Sequence, residues 1–313
     1  MKRKVLGSAI LATLLLVAAF YLRTCWDFST VVVAYKYEPG PWAGRTQTPP
    51  RPSDFGLPEP EDFSLDVGEG IVLSGWLFEN ELNGDCGVIL HHGGGGRVWT
   101  LVYTPLFWDR GCDLVMFDAR YHGESTGEYR TWGYYEKGDS LEVLNWFAER
   151  TGLQVSRIGL MGESYGAGTV LQAAALEPDL AFVAAEAPFQ DLPTLIGEEA
   201  ERRYGRLGRA ILTHTVLLFA GWRADFDPAA ASPMLAARDI QTPVFLIDSL
   251  EDDGLPPTHA EAIYANVKHD RKVLYVTDWS ALHALYMKTD PEFTPYLDDF
   301  LDRYVPGFGL VQE

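Results

Sequence analysis

A chain of 313 residues with 47% apolar and 13% aromatic content can bury a sizeable core within one main domain. The formal net charge of −19 and pI near 4.7 repel polyanions, which argues against nucleic acid and anionic lipid surfaces as partners, and no basic cluster beyond the first four residues offsets that field. Cys25, Cys86 and Cys112 show no metal-ligand spacing and none sits beside a plausible catalytic base, so zinc and cysteine-nucleophile chemistry are not expected.

The N-terminus reads Met1-Lys2-Arg3-Lys4, then an uncharged, mostly apolar run from Val5 to Leu22, then Arg23. The run is close to the ~20 residues that cross a bilayer as a helix, and its basic flank should stay cytoplasmic, with everything after it outside. A cleaved signal peptide is the rival, with Val17-Ala18-Ala19 as a passable cleavage site, but the run is longer than usual for one. A retained anchor over residues 1–26 is therefore expected. From Glu38 to Pro60 come Pro41, Pro49, Pro50, Pro52, Pro58 and Pro60 with interspersed glycines, which predicts a spacer over 27–60.

Beyond the spacer, short apolar runs and helical stretches alternate. Strands are expected near Asp62–Val67, Ile71–Phe78, Gly87–His92, Leu114–Asp118, Ile158–Gly162, Phe182–Glu186, Val244–Asp248 and Val273–Thr277. Helices are expected at Tyr135–Arg150, Tyr165–Leu176, His259–Ala265 and Glu292–Tyr304. This alternation predicts an α/β fold over 61–313, with a mostly parallel eight-stranded sheet covered by helices on both faces. The stretch from Phe189 to Thr242 is longer than a crossover needs, so an inserted helical cap is expected at about 189–240. Its apolar part, Ile211–Trp222, suits either one wall of an acyl or aromatic pocket or packing against the body of the fold. Cys86 and Cys112 each lie six residues before a strand-end residue, His92 or Asp118, and could bridge on neighbouring strands. Such bridges between central strands are awkward, so unpaired buried thiols are expected.

The strongest chemical signal is Gly162-Glu163-Ser164-Tyr165-Gly166, between the apolar strand Ile158–Met161 and the helical run from Ala167. A G-x-S-x-G sequence in that context is a nucleophile elbow, whose glycines are required where the turn is strained and neighbouring backbones pass close. A serine hydroxyl needs a base, and in this chain order a carboxylate followed by a histidine should come later. Of seven histidines, His283 lies beyond the last strand, whereas His91, His92, His122, His214, His259 and His269 suit structural roles. The strand ending at Asp248 runs into Ser249-Leu250-Glu251-Asp252-Asp253-Gly254-Leu255-Pro256, and loop geometry favours Asp252 as the orienting carboxylate.

These residues resemble the α/β-hydrolase superfamily, and more closely its bacterial serine hydrolases with an N-terminal anchor. The resemblance runs from about Asp62 to Leu301 and rests on His92-Gly93-Gly94-Gly95-Gly96, Asp118-Ala119-Arg120-Tyr121-His122-Gly123-Glu124-Ser125, the elbow, the Asp252-Asp253-Gly254 loop and His283-Ala284-Leu285-Tyr286. It implies an oxyanion hole made by the backbone N–H groups of Gly94 and Tyr165. The unpaired N–H groups and positive dipole end of the helix after Ser164 suit that role independently. Where many relatives carry His-Gly after the penultimate strand, this chain has Asp248-Ser249, so Asp248 competes for the histidine. The expected activity is hydrolysis of a carboxylic ester or thioester through an acyl-enzyme. A peptidase or amidase would share every motif, and a non-catalytic binding relative of the fold is the remaining rival. No cofactor or metal is required. The expected partners are a small-molecule or lipid-like acyl substrate and the membrane.

Overall fold

A computed structural model describes residues 2–35, 49–252, 254–278 and 293–309. Its centre is an eight-stranded sheet in the order β1-β2-β4-β3-β5-β6-β7-β8. The strands are β1 (Glu61–Asp66), β2 (Val72–Phe78), β3 (Gly87–His91), β4 (Asp113–Phe117), β5 (Ile158–Glu163), β6 (Phe182–Glu186), β7 (Val244–Ser249) and β8 (Lys272–Thr277). β1 and β2 form an antiparallel edge against β4, and from β4 to β8 every pairing is parallel. All eight fall where the apolar runs predicted them, with ends moved by a residue or so.

Alternation along the strands feeds two cores. In β3, Val88 and Leu90 face one apolar layer with Met116 and Phe182, while Ile89 faces the other with Val115 and Leu160. The first layer is closed by α2 (Pro105–Trp108) and by the C-terminal helix α8 (Phe293–Tyr304), through Phe107, Leu297 and Phe300. The second is closed by α3 (Glu136–Thr151), α4 (Tyr165–Ala174) and α7 (Thr258–Asn266). Central strands buried on both faces read as continuous apolar runs because neither face meets water.

The inserted region holds α5 (Leu192–Ala224) and the short α6 (Pro233–Ala236). α5 is broken at Gly205, where φ is +72° and ψ −179°, a backbone conformation open to glycine but not to residues with a side chain. Its second half buries Leu212, Val216, Ala220 and Ala224 in a third apolar cluster and leaves the opposite face bare.

The N-terminal helix α1 runs from Lys2 to Val33, past residue 26, so its last turns occupy sequence assigned above to the spacer. They are packed: Cys25, Phe28, Val32 and Val33 are buried against α5. Orphan carbonyls at the end of α1 are satisfied from outside the helix. Arg130 Nε and Nη2 donate to Val32 O at 2.9 Å and Val31 O at 2.7 Å, Trp132 Nε1 to Val32 O at 2.9 Å, and the Arg130 amide to Val33 O at 3.0 Å. A buried guanidinium at a helix C-terminus also meets the negative end of the helix dipole.

Two sequence expectations are corrected. Cys86 and Cys112 form a disulfide, with Cα atoms 4.6 Å apart. Each cysteine stands just before its strand begins, where the ladder starts with Asp113 N donating to Cys86 O at 2.9 Å, so the bridge avoids the constraints of a central ladder. A basic cluster also exists beyond the first four residues. Arg202, Arg203, Arg206 and Arg209 surround the break in α5, sharing Glu199 and Glu201 as ion-pair partners. Four guanidinium groups on two carboxylates leave this tip positive within an acidic chain.

Candidate active site

β5 ends at Glu163 and α4 begins at Tyr165, so Ser164 forms the whole turn between them. Its backbone has φ +51° and ψ −113°, outside the comfortable range of a non-glycine residue. The strain is held by neighbours. Ser164 N donates to Glu186 O at 2.8 Å, and Gly168 N to Ser164 O at 3.1 Å. A Cβ on Gly162 would lie 2.5 Å from the carbonyl carbon of Gly166, and one on Gly166 would lie 2.5 Å from His91 O and 2.6 Å from His92 O. Both flanking glycines are therefore steric requirements of the turn, and the turn leaves Ser164 partly exposed at the carboxyl end of the sheet.

The glycine-rich loop after β3 lies beside this turn. Gly93 N donates to Glu163 Oε1 at 3.3 Å, whereas the N–H groups of Gly94 and Tyr165 have no acceptor among the described residues. The loop is fastened at its far end by Asp118, whose Oδ1 accepts from Arg97 N at 2.8 Å and whose Oδ2 accepts from Glu124 N at 3.0 Å and pairs with the Arg97 guanidinium. Ser125 Oγ donates to Asp118 O at 2.5 Å, and Arg120 grips Asp139 through two bonds of 2.7 and 2.6 Å. The Asp118–Ser125 motif therefore braces the loop and ties it to α3.

Beneath the elbow lies an acidic network that sequence reasoning missed. Glu163 and Glu186 stand in register on β5 and β6, and the Tyr103 hydroxyl lies between them, 2.7 Å from Glu163 Oε2 and bonded to Glu186 Oε2. A hydroxyl has one proton to give, so one carboxyl must be neutral. Burial first, then the Glu163 charge, push Glu186 up to about 8, which makes it the neutral member. Glu163 occupies the variable position of the elbow, and nothing in its sequence context marked it as paired.

The two competing acids of the β7 loop differ in environment. Asp248 is inside β7, and burial raises it to about 8, with Asp252 and Glu261 adding to the rise, so near neutral pH its protonated form is favoured. Asp252 lies beyond the strand end, buried, with Oδ1 accepting from Gly254 N and Leu255 N, each at 2.8 Å. Asp253 and His283 lie outside the described residues.

Of the remaining histidines, His92 and His259 are held by hydrogen bonds, whereas the buried Nε2 atoms of His91 and His122 have no hydrogen-bond partner among the described residues. His92 Nδ1 is 2.5 Å from Gly93 O and its Nε2 accepts from Ala119 N at 2.9 Å, which fixes a neutral tautomer in which Nδ1 donates. Burial lowers His92, takes His91 down to about 3 and holds His122 well below the usual range. His259 lies between Gln190 N at 3.2 Å and Glu198 Oε2 at 2.9 Å. His214 is exposed on α5, and His269 precedes β8 at the opposite end of the sheet from the elbow.

A cavity of about 160 Å³ opens between α1 and α5, with Phe28, Val31, Val32, Leu195, Ile196 and Trp132 as its apolar lining and Arg130, Glu199 and Arg202 as its charged lining. The Trp132 ring packs edge-on against Tyr165, the residue after the elbow serine, with centroids 5.6 Å apart. Of the two readings open for Ile211–Trp222, pocket wall or packing against the body of the fold, the buried Leu212, Val216 and Ala220 fit the second. The wall of the cavity is made by the first half of α5 and the end of α1, because the buried residues of the second half face inward and its other face meets solvent.

A model of the α/β hydrolase fold matches residues 88–226. The uncharacterized protein YqkD of Bacillus subtilis is 32% identical over 207 residues, spanning 65% of this chain and 67% of its own. YfhR of Salmonella typhimurium is 25% identical over 235 residues, covering 72% of this chain and 76% of that protein. Among solved structures, an esterase of Pyrococcus furiosus superposes with a TM-score of 0.64 at 22% identity, over 86% of this chain and 99% of that one. The acylaminoacyl peptidase of Pyrococcus horikoshii does so with 0.60 at 19% identity, over 82% and 42%. With the sheet order, the elbow and these likenesses together, the chain belongs to the α/β-hydrolase superfamily.

Proposed function

We propose that this protein is a serine hydrolase that cleaves carboxylic ester or thioester bonds through an acyl-enzyme, with Ser164 as nucleophile, His283 as general base and Asp252 as the orienting carboxylate. The observation that carries the proposal is the strained Ser164 turn at the start of α4, beside two N–H groups, of Gly94 and Tyr165, that have no acceptor among the described residues. In this reading Ser164 Oγ attacks the carbonyl carbon while His283 takes its proton. The two N–H groups and the α4 dipole stabilise the oxyanion, His283 protonates the leaving group, and water then releases the acid.

Two arguments support the partners of Ser164. The fixed neutral tautomer of His92, the burial of His91 and His122, the bonds of His259 and the remote positions of His214 and His269 weigh against those histidines and so support His283 as the base. The rise of Asp248 to about 8 weighs against Asp248 as the orienting carboxylate and so supports Asp252.

The six apolar residues that line the α1–α5 cavity offer a surface for an apolar acyl part, and Arg130, Glu199 and Arg202 give the same cavity a polar side. The Cys86–Cys112 bridge fits an oxidising compartment, and so supports α1 as a single-pass anchor with the catalytic domain outside the cytoplasm. The test is hydrolysis of p-nitrophenyl esters of graded chain length by the full chain in detergent. Turnover of short and medium acyl esters is expected, and failure on every ester together with turnover of aryl amides would assign a peptidase or amidase instead.

A further inference from the structure

The second half of α5 carries an apolar stripe that remains largely exposed beside α1. Leu207, Ile211, Leu218 and Trp222 are 71%, 49%, 61% and 73% exposed, and their spacing puts them on one stripe of the helix. From Ala210 to Trp222 there is no charged side chain, in a chain that is 22% charged. Other exposed large apolar residues beyond α1, such as Leu82 and Leu176, are scattered singly, which is normal for a protein surface. A stripe of four, interrupted by the exposed His214, is not.

What covers this stripe follows from its neighbour. Tyr21 Oη donates to Ile211 O at 2.7 Å and lies 2.6 Å from Thr215 Oγ1. Farther along, Trp26 meets Phe219 and Trp222 with ring centroids 5.8 and 6.1 Å apart, and Arg223 donates to Ser29 and Thr30. The two helices therefore run side by side in the same direction. Ile211 is level with the end of the uncharged run of α1, whose residues from Leu6 to Phe20 are exposed. Leu207 lies one turn earlier, about 6 Å farther toward the bare part of α1. With α1 across the bilayer, α5 enters end-on, and its tip at Leu207 reaches about 6 Å below the level of Tyr21 into the acyl boundary. Trp26 and Trp222 then fall at the level where amphipathic aromatic rings collect, and Arg206 and Arg209, paired with Glu201 near the level of Leu207, would have to extend their guanidinium groups upward to reach lipid phosphates.

We propose that the cap itself docks on the lipid bilayer beside the anchor, inserting Leu207 and Ile211 and setting Trp26 and Trp222 at the interface. The proposal rests on α1 spanning the membrane. Docking would hold the α1–α5 cavity at the membrane surface, so that an amphiphilic ester could pass its apolar part from the acyl layer into the cavity without crossing water.

The test uses the full chain with Ser164 intact, one copy per phosphatidylcholine nanodisc, with single cysteines Leu15→Cys, Leu207→Cys and Leu176→Cys carrying an environment-sensitive fluorophore. The native free thiol, Cys25, is buried. Brominated acyl chains should quench the labels at 15 and 207 by about half or more, as expected for groups within the acyl boundary, and leave the label at 176 unchanged. Quenching at 15 without quenching at 207 would overturn cap docking while leaving the anchor in place, and no quenching at 15 would remove the anchor on which docking rests. Neither outcome depends on catalysis, so ester turnover by the same samples tests the hydrolase reading separately.

Discussion

The amide of Ser164 donates to the carbonyl of Glu186 at 2.8 Å, and this bond fastens the elbow of one strand to the end of the next. It explains how a serine is held at φ +51°. The same crowding makes the elbow intolerant of added atoms. Gly166→Ala would press a methyl to within 2.5 Å of His91 O, and such overpacking costs about 1–3 kcal/mol where the backbone can shift. A lower melting temperature together with reduced kcat is expected in thermal unfolding and ester hydrolysis assays. A variant with unchanged stability and activity would show that the turn is looser than described.

The two acids of the β7 loop separate by substitution. Asp252→Asn should lower kcat by about 10⁴, as loss of the tautomer-holding carboxylate does in other triads. Asp248→Asn should leave kcat within about tenfold of the parent, because a group raised to about 8 is already largely protonated at pH 7. The opposite ranking would move the orienting role to Asp248.

The Tyr103–Glu163–Glu186 network gives stability a pH dependence of definite sign. Glu186 rises from 4.5 in its ordinary state to about 8 when folded. Between those values the native chain holds a proton that the unfolded chain has lost. Stability therefore falls as pH rises through this window, by at most about 1.4 kcal/mol per pH unit from this group, and levels off above it. Asp248, raised from 3.8 to about 8, acts in the same direction. Glu186→Gln should shrink the drop in melting temperature between pH 5 and pH 8. An undiminished drop would place the titration elsewhere.

The bridge between Cys86 and Cys112 closes a loop of sequence separation 26. Loop-closure entropy alone puts its contribution at about 3.5 kcal/mol. Cys86→Ser with Cys112→Ser should lower the denaturant midpoint accordingly, and in the parent chain a thiol count under non-reducing denaturation should find Cys25 alone.

Much of this architecture was legible in the sequence because its signals are local. Strands buried on both faces read as unbroken apolar runs, and the elbow needs glycines at fixed offsets from Ser164, so both were found at their places. What was missed depends on distant partners. Glu163 became meaningful only beside Glu186 and Tyr103, and the Cys86–Cys112 bridge depended on where the two strands begin. The end of α1 looked like spacer because the donors that hold it, Arg130 and Trp132, lie about a hundred residues away.

The central claim is that Ser164 is an activated nucleophile. A fluorophosphonate probe followed by peptide mapping tests it most directly. One phosphonyl adduct on the peptide containing Ser164 is expected, absent from Ser164→Ala and strongly slowed in His283→Ala, with kcat for a p-nitrophenyl ester lowered on the order of 10⁶ in either variant. No adduct on the native chain, or undiminished ester turnover by Ser164→Ala, would contradict the account.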